Sequence, residues 1–342
     1  MTHDLRAFQN LWEQAVRAAR SERLDATTDR AFWERYAAHY DERTGSGGER
    51  VTLEYLKKIV RPTDSLLDVG AGTGRFALPL SESVERITAV DHSPDMLGIL
   101  RRKTTAAGIA TIATVQGEWP HVDVEPHDVV LAAWSLYRTI DLAAALTACV
   151  AATRRSLVIV VGAGGSPPHR RHVEEICGRW TESTVPAHLY IAGVLWEMGL
   201  LADACILPAR RRVIGETPTT VARALAPLDA RDADVEELAV ALRSHIHAGD
   251  SGFEYLFHYG VGVVTWRRNR DESGFVGIPG IMSEPGVETE SKRENRWPSR
   301  GAGIRNSAPA CWHPTAHSIN VSYCQFSESP PNHCPVPSLA ST

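Results

Sequence analysis

The chain has 342 residues, of which 43% are hydrophobic and 23% charged, and its formal net charge is −5. This is the composition of an ordinary globular protein, long enough for one large domain or two smaller ones. The acidic balance argues against the broad basic face that nucleic-acid binding usually needs, and no run of 18 apolar residues is present to span a membrane. We therefore expect neither nucleic acid nor membrane as a partner.

The N-terminus and the cysteines indicate a cytoplasmic protein. Residues Met1–Asp4 lack the basic head and apolar run of a secretory signal, and the six cysteines show no C-x-x-C spacing. Two imidazoles in His245–His247 stand at i and i+2 of a predicted helix, which is the wrong spacing for one helical face. We expect reduced thiols and no metal site.

The first 50 residues are predicted to form a helical cap. A second helix with an aromatic face is predicted over Arg30–Asp41, followed by a flexible break at Gly45–Gly48. A helix over Val51–Val60 then opens the main domain. The first helix of the cap is predicted from apolar residues at three- and four-residue steps, namely Leu5, Phe8, Trp12, Val16 and Ala19.

Strands and helices alternate from Ser65 onwards. This alternation is typical of right-handed crossovers in a doubly wound α/β sheet. The predicted strands are Ser65–Val69, Ile87–Val90, Thr111–Val115, Asp128–Ala133 and Leu157–Val161. The predicted helices are Arg75–Ser83, Asp95–Ala107, Leu142–Thr153, Pro168–Thr181 and Pro186–Gly199.

The pattern changes after Asp203. A strand over Ala204–Val213 is followed by helices at about 219–225 and 234–247, and Phe253–Trp266 is predicted to form two β segments around Gly260. The fold class is thus α/β, a doubly wound seven-stranded Rossmann-like sheet with a C-terminal antiparallel strand and helical inserts, over residues 51–268. Nine of the 20 prolines fall in the final stretch, so a disordered tail is predicted over 269–342.

A glycine-rich turn follows the first strand. Gly70, Gly72 and Gly74 stand at alternate positions after Asp68, where they let the backbone turn sharply and approach a ligand that a Cβ would exclude. A helix predicted from about Arg75 would point its free N–H groups at that ligand. Such a loop alone is a weak signal.

Asp91 strengthens the signal, because it lies seventeen residues after Gly74 at the end of the second strand. A carboxylate there can accept two hydrogen bonds from a ribose diol. A nicotinamide enzyme would more typically carry G-x-G-x-x-G, and no Tyr-x-x-x-Lys pair occurs in the chain. Asp68 also suits the ammonium of a methionine moiety. The pattern therefore favours S-adenosylmethionine and leaves a nicotinamide oxidoreductase as the least favoured alternative.

From about Ala31 to Trp266 the chain resembles the class I methyltransferases, and within them the broad group similar to the ubiquinone/menaquinone methyltransferases. The motifs that carry the resemblance are Leu67–Gly74, Val90–Leu97 and, more loosely, Val115–Trp119.

The resemblance implies a role for each matching residue. Gly70, Ala71, Gly72 and Gly74 would wrap the methionine half of the cofactor, and Asp91, with its neighbour His92, would hold the ribose. Met96 would pack on the adenine, Glu118 would take its amino group, and Trp119 would flank the ring. Ordinary core packing is the alternative for Met96 and Trp119.

The acceptor side is less determined by the sequence. Trp134–Tyr137 occupies the place where amino-methylating enzymes carry Asp/Asn-Pro-Pro-Tyr, and it contains no cysteine, so we expect a small-molecule acceptor. The candidates for catalysis are Tyr36, Trp134, Tyr137 and Glu197. A protein that binds the cofactor without turnover, as a sensor or partner, is the second hypothesis.

Overall fold

A computed structural model describes residues 6–18, 47–137, 139–165, 167–178, 185–227 and 230–268. The predicted helix at Arg30–Asp41 with Tyr36, and the tail at 269–342, lie outside these described residues. Within the described part of the chain, no helix is long and apolar enough to cross a membrane.

The described chain forms helices on both sides of a central sheet. The strands are β1 (Ser65–Val69), β2 (Arg86–Asp91), β3 (Ile112–Gln116), β4 (His127–Ala133), β5 (Thr153–Gly162), β6 (Asp203–Gly215), β7 (Ile246–Gly249) and β8 (Gly252–Arg267). The helices are α1 (Ala7–Ala18), α2 (Gly47–Leu56), α3 (Ala77–Leu80), α4 (Pro94–Ala107), α5 (Leu142–Ala151), α6 (Arg170–Cys177), α7 (Ala187–Glu197), α8 (Pro218–Leu225) and α9 (Asp232–Ala241).

The sheet confirms the predicted fold class. Its strand order is β3-β2-β1-β4-β5-β8-β6, with β7 paired to β8. The first five strands are parallel, and β8 is antiparallel to both β5 and β6. The order reverses between β1 and β4, and in open α/β sheets ligands bind beyond the carboxyl ends of the strands at such a switch point.

The C-terminal half differs from the prediction in two ways. β8 is one strand through Gly260 instead of two. A Cβ at Gly260 would lie 2.8 Å from Ile206 Cγ2 and 3.0 Å from Ala163 Cβ. The glycine thus permits close packing and makes no turn. The helix predicted to His247 ends at Ala241, and Ile246 begins the short strand β7. The sheet therefore has one strand more than the seven predicted.

Gly47 and Gly48, the described part of the predicted flexible break Gly45–Gly48, begin α2. The amide of Gly48 donates to the Tyr259 hydroxyl at 2.8 Å, and a Cβ at Gly48 would lie 2.4 Å from that oxygen. Because glycine has no side chain, the start of α2 can approach β6 and β8 closely. At Gly47 and Gly48 the break prediction was wrong, because the local sequence does not reveal this contact.

Apolar packing on both faces holds the sheet. All five residues of β1 are buried, as expected of a parallel strand covered on both sides. Alternate residues face two cores, with Leu67 on one side and Leu66 on the other. A third cluster, which includes Val213, Leu238 and Phe257, lies where β6 and β8 extend past the last residue of β5.

Glu197 fixes α1 to the domain. Its Oε1 accepts from the Phe8 amide at 2.6 Å and its Oε2 from the Gln9 amide at 3.3 Å, at the end of the helix where N–H groups lack helical partners. A Cβ at Gly193 would lie 2.3 Å from the Phe8 ring, so glycine allows the two helices to pack closely. The carboxylate predicted as an acid/base candidate thus caps a helix.

Glu197→Ala is expected to lower the free energy of unfolding by about 1 kcal/mol, the usual cost of losing a helix cap. Glu197→Gln, which keeps one acceptor oxygen, should cost less. Urea unfolding followed by circular dichroism measures both. Glu237→Gln, at an exposed position of α9, is the control, and equal stability of Glu197→Ala and the wild type would contradict the capping role.

Candidate cofactor site and acceptor edge

The glycine loop lies at the switch point between β1 and β4. Gly70, Gly72 and Gly74 have φ values of +73°, +56° and +87°, in the left-handed region that favours glycine. The amides of Gly70 and Ala71 both donate to the Val90 carbonyl, at 2.8 and 2.9 Å. The loop is thereby held against the end of β2.

The three glycines serve different purposes. A Cβ at Gly70 would lie 2.3 Å from Ser135 Cβ, and one at Gly74 would lie 2.4 Å from Leu100 Cδ1, so these two permit packing. A Cβ at Gly72 would meet nothing within 4 Å. Gly72 therefore faces open space of the kind a ligand cradle requires.

The helix after the loop is shorter than predicted. It begins at Ala77 instead of Arg75 and has only four residues, Ala77–Leu80. The amide of Gly74 turns back to the Ala71 carbonyl at 3.0 Å. The backbone of the loop, and not a helix N-terminus, is thus the main feature of this part of the site.

Asp91 joins the loop to the next helix. Its Oδ2 accepts from the Gly72 amide at 2.9 Å and its Oδ1 from the Ser93 amide at 2.8 Å. Ser93 in turn caps α4, because its hydroxyl accepts from the Met96 amide at 3.3 Å. His92 Nδ1 lies 3.6 Å from Asp91 Oδ1. The Asp91 carboxylate, which is predicted to bind the ribose, is therefore held in place by two backbone amides.

Asp68 is a buried carboxyl beneath the loop. Its Oδ2 has no hydrogen-bond partner, which is rare for a buried polar atom. Burial, followed by the charge of Asp91, raises the pKa of Asp68 to about 7 from 3.8. A bound ammonium group would supply both the missing partner and a compensating charge, so this position suits the methionine end of the cofactor.

The raised pKa predicts a pH-dependent stability. Between about pH 4 and pH 7 the folded chain retains a proton on Asp68 that the unfolded chain has lost, so the stability contributed by this group falls as the pH rises through that window. Asp68→Asn should remove this fall, and Asp95→Asn, at an exposed site, should not. Urea unfolding at pH 5 and pH 7.5 measures the effect, and an unchanged slope in Asp68→Asn would contradict it.

The residues predicted around the adenine lie beside this site. Met96 is buried in the first turn of α4. Glu118 is exposed two residues after β3, in a turn held to β2 by a 3.0 Å bond from the Gly117 amide to the Asp91 carbonyl. The Trp119 indole donates to the Ala145 carbonyl at 3.1 Å and packs against the core. Core packing thus describes Trp119, and its contact with adenine stays a prediction.

Trp134 turns the chain at the end of β4. Its φ is +50°, uncommon for a residue with a side chain and typical of functional sites. The ring stacks on Phe76 with centroids 5.7 Å apart, and the Arg75 guanidinium lies 5.8 Å from its centroid. Arg75 Nε is also 3.3 Å from Glu49 Oε1 on α2. These contacts hold Trp134, a predicted candidate for catalysis, in its positive-φ turn.

Two polar side chains at the carboxyl edge of the sheet were not predicted from the sequence. Ser135 follows Trp134 and packs on Gly70, with its hydroxyl buried and unpartnered. His188, in α7, also has a buried nitrogen without a partner. Tyr137 is 38% exposed at the same edge. Nothing in the local sequence distinguishes Ser135 or His188, because only the fold shows that their partners are missing.

The strand order and the loop geometry are those of a Rossmann-like fold of the class I methyltransferase type. A family model described as a methyltransferase domain matches residues 66–156. Residues 66–156 thus match a methyltransferase domain, the class that the resemblance implies, and S-adenosylmethionine is the cofactor expected of it. The buried, unpartnered Asp68 oxygen and the open space at Gly72 fit that cofactor.

The chain is similar to several known proteins. It is 32% identical over 71 residues to the mitochondrial ribosomal RNA small subunit methyltransferase of Arabidopsis thaliana, covering 19% of each chain. It is 29% identical over 153 residues to an uncharacterized protein of Haemophilus influenzae, covering 42% of this chain and 53% of that one. It thus spans about half or less of these relatives.

Similarity also extends to solved structures. Magnesium protoporphyrin IX methyltransferase from Synechocystis PCC 6803, solved with bound S-adenosylhomocysteine, matches with a TM-score of 0.48 and 13% identity. The match covers 72% of this chain and all of that one.

Proposed function

We propose that this protein transfers a methyl group from S-adenosylmethionine to a small-molecule acceptor. The observation that carries the proposal is the pair of hydrogen bonds from Gly72 and Ser93 to Asp91. They place a fixed carboxylate beside a loop that has open space at Gly72. One end of a nucleoside cofactor would rest on the loop and its ribose on Asp91.

Each part of the site has a distinct task in this proposal. The bound cofactor supplies a methyl group that is already strongly electrophilic, so the protein has to align the acceptor and exclude water. Gly70–Gly74 would hold the methionine half, with Asp68 beneath its ammonium. The turn at Trp134, which is held by contacts with Phe76 and Arg75, would form one wall of the acceptor site.

A small molecule is the acceptor that the described residues favour. The similarity to ribosomal RNA methyltransferase covers only 71 residues, while the described structure has a third apolar cluster beyond the carboxyl end of β5. The segment Trp134–Tyr137 also lacks the Asp/Asn-Pro-Pro-Tyr sequence associated with adenine-N6 acceptors. The helical segments that follow β5 and β6 suit an enclosed pocket better than an open nucleic-acid surface.

The test is transfer of tritiated methyl groups from S-adenosylmethionine. The full chain is incubated separately with total RNA, with duplex DNA and with a panel of phenols, carboxylic acids, amines and thiols. The proposal expects label in the small-molecule fraction and formation of S-adenosylhomocysteine. Label only in RNA or DNA would overturn the small-molecule acceptor. Cofactor binding with no transfer to any acceptor would overturn the enzymatic role in favour of a non-catalytic binding protein.

A further inference from the structure

His188 lies at the carboxyl edge of the sheet, on the acceptor side. β5 ends there at Gly162, and α7 must return the chain to the start of β6, which is parallel to β5. The first turn of α7 therefore lies at the carboxyl edge, and His188 belongs to that turn. Its ring packs on Gly262 of β8, where a Cβ would lie 2.7 Å from His188 Cγ.

Measured along the strand direction, His188 lies at about the same height as the end of β4. Gly262 pairs with Val161 of β5, and the Trp134 amide donates to the neighbouring Val160 carbonyl at 2.8 Å. The end of β4 and Gly262 are thus separated by two strand spacings, roughly 10 Å, and His188 lies over Gly262 on the face of the sheet that α7 covers. An acceptor of ordinary metabolite size can bridge that distance.

The imidazole of His188 lacks the partner that buried histidines usually have. It is 3% exposed, and its Nδ1 has no hydrogen-bond partner. His127 is equally buried at 3%, but its Nδ1 lies 2.6 Å from the Glu125 carbonyl and its Nε2 lies 2.8 Å from Thr88 Oγ1. A buried polar atom without a protein partner is uncommon in native proteins and requires an explanation, for which a catalytic role, a water molecule or an ion are the usual candidates.

The charge state of His188 suits a proton acceptor. Burial lowers the pKa of His188 below its usual 6.5, so the ring is neutral at neutral pH. A neutral imidazole can accept a proton from a substrate, whereas an imidazolium cannot.

We propose that His188 is the base of the methyl transfer and that the acceptor is a protic group, a hydroxyl or a nitrogen that carries hydrogen. The inference rests on the proposed function. The acceptor lone pair forms a bond to the methyl carbon, and the carbon–sulfur bond breaks with its electron pair remaining on sulfur. The acceptor proton passes to an imidazole nitrogen and then to water. The products are the methylated acceptor and neutral S-adenosylhomocysteine.

The experiment compares His188→Gln with His127→Gln, a variant at a buried histidine whose nitrogens are already bonded. Both are first titrated with S-adenosylhomocysteine, and both should bind it within about twofold of the wild type. Methyl transfer is then measured with matched pairs of phenols and thiophenols at pH 9, where the thiols are ionised and need no base. His188→Asn serves as a second variant should the Gln variant not fold.

His188→Gln should lose a hundredfold or more in kcat with phenols, the range typical of a general base. It should lose at most a few-fold with thiophenols, and His127→Gln should keep both rates. Equal losses with phenols and thiophenols, or a phenol rate near that of the wild type, would overturn the role of His188 while leaving the proposed function intact. A wild-type protein that transfers to no acceptor would overturn both.

Discussion

Asp91→Ala should weaken the binding of S-adenosylhomocysteine by about tenfold to a hundredfold or more. The change removes the proposed partner of the ribose hydroxyls, and charge-assisted hydrogen bonds of that kind are stronger than neutral ones. It also removes the acceptor of the Gly72 and Ser93 amides, so the loop loses one of its attachments to the end of β2 and keeps the bonds to the Val90 carbonyl. Calorimetric titration of the full chain measures the dissociation constant.

Two further variants make the Asp91 result specific. Asp91→Asn keeps the size and one acceptor oxygen but removes the charge, and we expect an intermediate loss of affinity. Asp95→Ala lies four residues away at an exposed position in the first turn of α4, and it should leave the affinity unchanged. An Asp91→Ala protein that is folded and binds as tightly as the wild type would contradict the assignment of the ribose site.

Gly72→Ala should abolish measurable binding of S-adenosylhomocysteine while the protein stays folded. Because a Cβ at Gly72 meets nothing within 4 Å, the fold bears only the cost of a left-handed alanine, about 1–2 kcal/mol. The added methyl group would then occupy space that we assign to the cofactor. Calorimetry and urea unfolding, run on the same preparation, separate the two effects.

Gly108→Ala is the matched control for Gly72→Ala. Gly108 has a φ of +66° at the end of α4, and a Cβ there also meets nothing within 4 Å. It should show the same loss of stability and no loss of affinity. If Gly72→Ala and Gly108→Ala bound the ligand equally well, Gly72 would not border the cofactor.

The positions of the glycine loop and of Asp91 could be predicted from the sequence because their signals are local. The buried run Ser65–Val69 and the glycines after it lie within ten residues, and the strand was predicted with the bounds that the structure has. Asp91 follows at the end of the next buried run. Continuous apolar runs and glycines at left-handed positions are set by backbone sterics and burial, which short sequence segments reveal.

The contacts of Glu197, Gly260 and His188 could not be predicted, because they join residues that are distant in the chain. The role of the Glu197 carboxylate is explained by the hydrogen bonds that it accepts from the Phe8 and Gln9 amides, nearly 190 positions away in the chain. Gly260 suggested a turn, although its purpose is close packing against Ile206 and Ala163. The missing partner of His188 is visible only once the sheet and α7 are assembled.

The most direct test of the central claim is a pair of calorimetric titrations of the wild-type chain, one with S-adenosylhomocysteine and one with NADH. The loop and Asp91 predict saturable one-to-one binding of S-adenosylhomocysteine and no heat of binding with NADH. Binding of NADH without binding of S-adenosylhomocysteine would contradict the assignment of this site to a methyl donor.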